Sequence, residues 1–554
     1  MSIGVRDQDV NEDDEVRAWF EAATDQMLLA YGQSQFYAEI NKALAGLSYI
    51  GNLNFNGADT LTVATTDTIA TDTDTIAITV NAVNDAPVNT VPGAQSVAED
   101  ITRPIAGVSV ADSDSSVLTT TLTVSSGTIN VNAALTSTAT TGQGILLKAS
   151  GDITFASGVD ITTQGSHQIF WSDSDANGAG SITSANAAGN LGLFTSNGGN
   201  IVMGGGAGTT VPTGAAYGLF GMNFSYATLN AGTTGDISLR GASSGSGDYG
   251  IGLRFFTAAT LTGRNITLVG QGAASSGSYV GNWGVGLEGA SITGSGAISI
   301  TGTGGGSGST GNVNHGVFVY GSTLTATGNG TLTITGTGGG KSGAGTNNDG
   351  VNVSGGSTVK TASGTLTLIG TAGLNGSSEG IAFNDATTTL GHATTQLGGI
   401  TLRANSLSFG TLATDHILGK GSLSIEPLTA NATLGVGTGS GVLTLANSLF
   451  SGSSRMFADG FSSIILGSAT TGDITVGGAN TFVDSVSLVS GSNITINNGA
   501  TITDSQNSGY IALAATGNFY NLATGAPLTA SGTGGRWLVY SNAPGTDTFG
   551  TLDS

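Results

Sequence analysis

A three-beat aliphatic pattern returns about every 32 residues through the middle of this 554-residue chain, and it narrows the choice of fold more than any single residue does. The first beat is Ile237, Ile266, Ile298, Leu332, Leu366 and Ile400, each inside a short alternating run such as Asp236-Ile-Ser-Leu239. The second follows a glycine, at Ile251, Val285, Val317, Val351 and Ile381, and the third is Leu261, Ile292, Leu324, Val359 and Leu390. A turn rich in Gly, Ser and Thr leads back to the first beat. Three strand-sized runs per unit, repeated at near-constant length, predict a chain wound into a β-solenoid. Alternation along a strand sends Leu332 and Ile334 inward and Thr331 and Thr333 outward. Stacked coils then align Ile298, Leu332, Leu366 and Ile400 in one interior column, each side chain contributing roughly 1.5–3 kcal/mol on burial.

Composition supports this and excludes several alternatives. The chain holds 93 Gly and only 9% charged residues, which alone would suit a linker, but 38% hydrophobic residues at regular positions argue for a packed core. Charge is uneven: residues 1–175 carry 22 acidic and 5 basic side chains, and the whole chain is at −22. Such a balance opposes phosphate, so nucleic acid is excluded as an expected partner. With no Cys there are no disulfides, thiolate metal sites or cysteine nucleophiles. No run of 18 apolar residues is present, so no transmembrane helix is expected. The first residues lack the basic and apolar parts of a secretory signal, and an export signal is expected outside this chain, as part of a longer protein.

Residues 1–36 form an acidic leader with ten charged side chains, in which Glu15 to Ala30 can be drawn as a short, weakly held helix. From Tyr37 the texture is strand and turn: Gly46-Leu-Ser-Tyr49, Asn54-Phe-Asn-Gly57, Asp59-Thr-Leu-Thr-Val63, Thr75-Ile-Ala-Ile-Thr-Val80. These pieces, followed by Val83-Asn-Asp-Ala-Pro-Val88, Val97-Ala-Glu-Asp100 and Val110-Ala-Asp-Ser-Asp114, resemble the cadherin-like tandem repeats of very large bacterial surface proteins. The resemblance implies the C-terminal half of one repeat over 37–83 and the N-terminal half of the next over 84–140, a partial β-sandwich segment. It also implies boundary calcium ligands at Asn84, Asp85, Glu99, Asp100, Asp112 and Asp114, which turn and capping roles explain as well.

Solenoid texture is expected over 144–530, opening with Gly144-Ile-Leu-Leu-Lys148 and Gly151-Asp-Ile-Thr-Phe155. With Gly199-Asn-Ile-Val-Met203 and Gly472-Asp-Ile-Thr-Val476 it resembles the exported β-helical repeats of the filamentous-haemagglutinin type. Gly535-Arg-Trp-Leu-Val-Tyr-Ser541, in the end segment 531–554, resembles a piece that closes such repeat blocks. The expected fold is thus all-β, a right-handed parallel β-helix of about 12 coils and about 55–60 Å, preceded by the cadherin-like segment and the leader. Gly at the corners is expected to permit positive φ, and segments such as Gly302 to Ser309 to bulge from one corner.

The chemistry-bearing candidates are few. Asp173-Ser-Asp175-Ala-Asn177-Gly178 begins like a calcium loop, with Asp173, Asp175 and Asn177 as ligands, but Ser184 stands where an EF-hand needs Glu. A turn between strands is the plainer reading. No catalytic pair is evident: Asp236, Asp248, Glu288, Asp349, Glu379 and Asp385 are scattered, and the four His lack metal-ligand spacing. His315, Asp349 and Glu379 each precede a second-beat glycine and stack on neighbouring coils; clustering around a groove would favour a β-helical polysaccharide lyase or glycoside hydrolase. Outward Thr267, Thr333 and Thr367, interrupted by Ser299, suit an ice-binding face as a remote alternative. The expected function is non-catalytic: an extracellular or cell-surface adhesin or scaffold, with calcium as its one candidate cofactor, that binds glycans or neighbouring cell-surface proteins.

Overall fold

The computed structural model describes residues 3–6, 33–99, 101, 103–115, 118, 120–274, 280–306, 311–340, 346–374, 377–410, 414–542 and 544–552. The chain divides into two compact units, residues 1–116 and 117–554. The expected leader helix at 15–30 lies outside the described residues.

In the first unit a helix, Gln33–Leu44, runs through residues expected to be strand and turn, and Leu47–Ile50 pairs in parallel with Ile3–Arg6. Gly57–Thr66 and Thr71–Val80 form an antiparallel hairpin in continuous register, and Val88–Thr90 pairs antiparallel with Ser109–Ala111. Val83, Val88, Val91, Ile101 and Ile105 are all more than half exposed. Paired strands hold this unit with little apolar burial.

The second unit is a parallel β-helix with three faces. The first face is a 16-stranded sheet whose path runs from Thr120–Val124 to Arg536–Tyr540, with Ala216–Gly218 pairing off that path. At about 4.8 Å per coil the stack is about 65–70 Å long, more than the sequence pattern implies. The second and third faces are 10-stranded sheets that end at Leu407–Ser408 and Ile417–Leu418 and are succeeded by sheets of 5 and 3 strands. At this seam a cluster of phenylalanines fills the interior: Phe409 meets Phe457 at 5.5 Å, and Phe450 meets Phe457 and Phe482 at 5.2 and 4.8 Å.

The aliphatic beats are the core. Ile237, Ile266, Ile298, Leu332, Leu366 and Ile400 pair in unbroken register and are at most 1% exposed. Leu261, Ile292, Leu324, Val359 and Leu390 form the matching column of the third face. The second column differs at its start: Val285 pairs with Leu253, while Ile251 pairs with Phe220. The strand Ile251–Phe256 is two residues longer than its successors, and Leu253 rather than Ile251 joins the continuous interior core, although both are buried. Outside, Thr267, Ser299, Thr333 and Thr367 stand in one ladder as the alternation requires.

Three sequence expectations need correction. The stack begins upstream of residue 144: Thr120–Val124, Ile129–Val131 and Leu135–Ser137 form a coil beneath Gln143–Ala149, Ile153–Phe155 and Ile161–Thr163. That coil occupies the latter part of the stretch assigned to a half-repeat, and its weaker pattern reflects an end position, with Leu122 still 39% exposed. The stack also continues past 530, through Arg536–Tyr540, and Phe549 packs on Phe519 at 5.9 Å. Finally, of the segment Gly302 to Ser309 expected to bulge, Gly302 to Gly306 stays in the stack, while 307–309 lie outside the described residues. Gly304 donates to the Thr337 carbonyl of the next coil and Gly305 to Asn282, so these glycines extend the ladder.

The glycines that mark the second beat are there for contact. A Cβ on Gly316 would stand 2.3 Å from Thr337 N and 2.6 Å from the Gly350 carbonyl; on Gly336 it would stand 1.9 Å from that same oxygen. Backbone packs on backbone where the first face meets the second, and no larger residue fits.

Candidate functional site

Three residues before the second-face strands that start at Val285, Val317, Val351 and Ile381, a side chain ties one coil to the next. The Asn282 Oδ1 accepts the Gly250 N–H at 2.7 Å, Asn314 Oδ1 accepts that of Asn282 at 2.9 Å, and Asn348 Oδ1 accepts that of Asn314 at 2.8 Å. Ser378 Oγ then accepts the Asn348 N–H at 2.9 Å. All three Asn are fully buried, so each ladder bond satisfies a turn N–H that water cannot reach. The ladder fixes the next residue in each turn: Trp283, His315, Asp349 and Glu379.

From these turns the second face presents its outward residues. Phe318 pairs with Asn352 and Tyr320 with Ser354, so an aromatic pair on one coil lies beside an amide and a hydroxyl on the next. Trp283 and His315 support the shelf from behind, with ring centroids 4.5 and 5.3 Å from Phe318. Tyr320 follows at 5.9 Å and is 52% exposed. His315, Phe318, Tyr320, Asn352 and Ser354, together with Asn347, Asn384 and Asp385, line a groove of about 340 Å³.

His315 is neutral. Burial lowers its pKa to about 3, and Nδ1 accepts the Asp349 N–H at 3.3 Å, which leaves the proton on Nε2. The 3.5 Å approach of Asp349 Oδ2 to Nδ1 is therefore a contact with a neutral imidazole rather than an ion pair. Burial also raises the Asp349 pKa, against bonds from the Glu379 N–H at 2.9 Å and Asn352 Nδ2 at 2.8 Å. Ser354 Oγ continues the chain to Asn352 Oδ1 at 3.1 Å. Asp385 is the opposite case. Burial would raise its pKa, but hydroxyl bonds from Thr388 and Thr387 and N–H bonds from Thr387 and Gly356 outweigh that and hold it at about 2. The groove thus keeps one fixed negative charge.

The structure brings His315, Asp349 and Glu379 together as their column position implies, but Asp349 is 2% exposed and sits behind Asn352. The other scattered acids staple coils: Asp236 holds Arg264 at 2.8 Å, Glu288 holds Arg254 at 2.7 Å, and Asp248 accepts the Val280 N–H. The groove's aromatic shelf and the Asn ladder escaped the sequence reading. Asn-x-Gly at 282, 314 and 348 was the available signal for the ladder.

Of the candidate metal ligands, Asp85, Asp112 and Asp114 come together through the antiparallel pairing of their strands. The Asp85 N–H donates to Asp114 Oδ2 at 3.1 Å, and Asp112 Oδ1 accepts the N–H groups of Asp114 and Ser115. Asn84 Nδ2 donates to the Asp85 carbonyl, and Glu99 is exposed and takes no part in these bonds. Asp100 lies outside the described residues. In the other loop Asp173 Oδ1 accepts the N–H of Gly178, Asn177 Nδ2 donates to Asp175 Oδ2, and Asn177 Oδ1 accepts the Ala179 N–H. Burial raises the Asp173 pKa. Among the described residues no group of three or more His, Cys, Asp or Glu is placed to hold a metal, and no helix is long and apolar enough to cross a membrane.

In comparisons with known proteins, no family model, no curated protein and no solved structure matches this chain.

Proposed function

We propose that this chain is a non-catalytic β-helical scaffold of the bacterial surface or matrix, an adhesin that binds neutral glycans in its second-face groove. One observation carries the reading: the Phe318–Tyr320 shelf lies beside amide and hydroxyl groups across adjacent coils. Sugar rings present apolar C–H faces and a rim of hydroxyls, and an aromatic surface next to amides matches both. The ionised Asp385 disfavours anionic sugars, and no Lys or Arg is among the described lining residues to offset it.

The same inventory argues against hydrolysis or lyase chemistry. Glycoside hydrolysis uses two carboxyl groups flanking the bond, whereas Asp385 is the one carboxylate among the described lining residues. Screening the full chain against neutral, amino and uronate oligosaccharides tests the reading, with reducing-end release followed in parallel. Binding of neutral sugars without turnover is the expected result; sustained sugar release would overturn it.

A further inference from the structure

We propose that the loop Asp173 to Gly178 is a calcium site, with Asp173 Oδ2 and the Asp175 carboxylate as its protein charges. The loop joins the first-face strand His167–Trp171 to the second-face strand Ile182–Ser184. Asp173 is 1% exposed, and its carboxylate is aimed into the loop, where Oδ1 accepts the N–H groups of Gly178 and Ala179 at 3.0 and 3.3 Å. Its other oxygen, Oδ2, is buried and has no hydrogen-bond partner among the described residues. A buried carboxylate oxygen without a donor is costly. A cation bound at Oδ2 removes that cost.

The surrounding groups fit a hard cation. Asp175 follows two residues on and is exposed, so it can turn toward an ion without losing buried contacts; its one bond within the loop comes from Asn177 Nδ2 at 2.8 Å. Lys148, one coil earlier, is engaged over the Trp171 ring at 4.0 Å. Calcium suits the place better than magnesium because it accepts irregular oxygen cages completed by carbonyls and water. Two carboxylates imply weak binding, on the order of 10⁻⁴–10⁻³ M, the range of extracellular modules.

Trp171 provides the readout. Its indole lies at the base of the loop, with Nε1 donating to the Gly206 carbonyl at 2.8 Å while the Gly206 N–H donates to the Asp173 carbonyl. Terbium added to the full chain should emit under indole excitation and be displaced by millimolar calcium but not by equal magnesium. Asp173→Asn and Asp175→Asn should each weaken terbium binding at least tenfold, and Trp171→Phe should remove the emission while calorimetry still detects calcium. Asp175 is exposed, so its variant keeps the test open if Asp173→Asn fails to fold. Unchanged emission in Trp171→Phe, or unchanged affinity in Asp175→Asn, would overturn the proposal.

Discussion

Single residues in this chain are constrained mainly by what lies one coil away. Gly316 illustrates it: a methyl group there meets the backbone of two neighbouring strands, so Gly316→Ala should cost about 3 kcal/mol or prevent local stacking. Gly525, with nothing within 4 Å of the added carbon, should accept Ala within about 0.5 kcal/mol. Chemical denaturation of the two variants side by side checks the contrast. Asp484 gives a pH signature. Burial raises its pKa to about 6, so between the unfolded value near 3.8 and about 6 the folded state binds more protons than the unfolded state. Its contribution is therefore present at low pH and lost as pH rises through 6. Asp484→Asn, which keeps an acceptor for the Gly460 N–H at 3.0 Å, should melt higher than the parent at pH 8 and equal it near pH 4. Equal melting shifts at both pH values would show that its burial carries no proton linkage.

At the scale of elements, the aliphatic columns were legible because their period is nearly constant and burial permits few residue types. The glycine columns were visible too, but their cause was not: a sequence shows where Gly recurs, whereas the facing carbonyls of Gly350 and Gly380 belong to other coils. The Asn ladder was missed because attention to apolar beats passes over buried amides, although Asn-x-Gly repeats with the same period. Asn314→Ala tests the ladder: it strips the acceptor from the buried Asn282 N–H and should cost about 1–3 kcal/mol. Protection of the Asn282 amide from hydrogen exchange should fall in step, and unchanged exchange would mean that the amide is held otherwise. The seam after Leu407–Ser408 had no sequence signal, since its Phe residues replace the aliphatic pattern instead of continuing it.

At the scale of the molecule, the β-helix leaves little chemistry over once its staples and ladders are counted. Arg254, Arg264, Arg403 and Arg455 each face a carboxylate within 2.6–2.8 Å, so these four pairs serve the cohesion of the stack itself. What remains is a groove assembled from residues more than 30 positions apart, and that is why the sequence pointed to His315 and Asp349 but not to Phe318 and Tyr320 beside them. Outward aromatics on a regular strand look like interruptions until the neighbouring coil supplies their partners. The most direct check is calorimetric titration of the full chain and its Tyr320→Ala variant with a neutral oligosaccharide drawn from the screen. Stacking on an exposed aromatic is worth about 1 kcal/mol or more, so binding to the parent should weaken about tenfold in the variant, with the melting temperature unchanged. Equal affinity in both proteins would contradict the groove as the binding site.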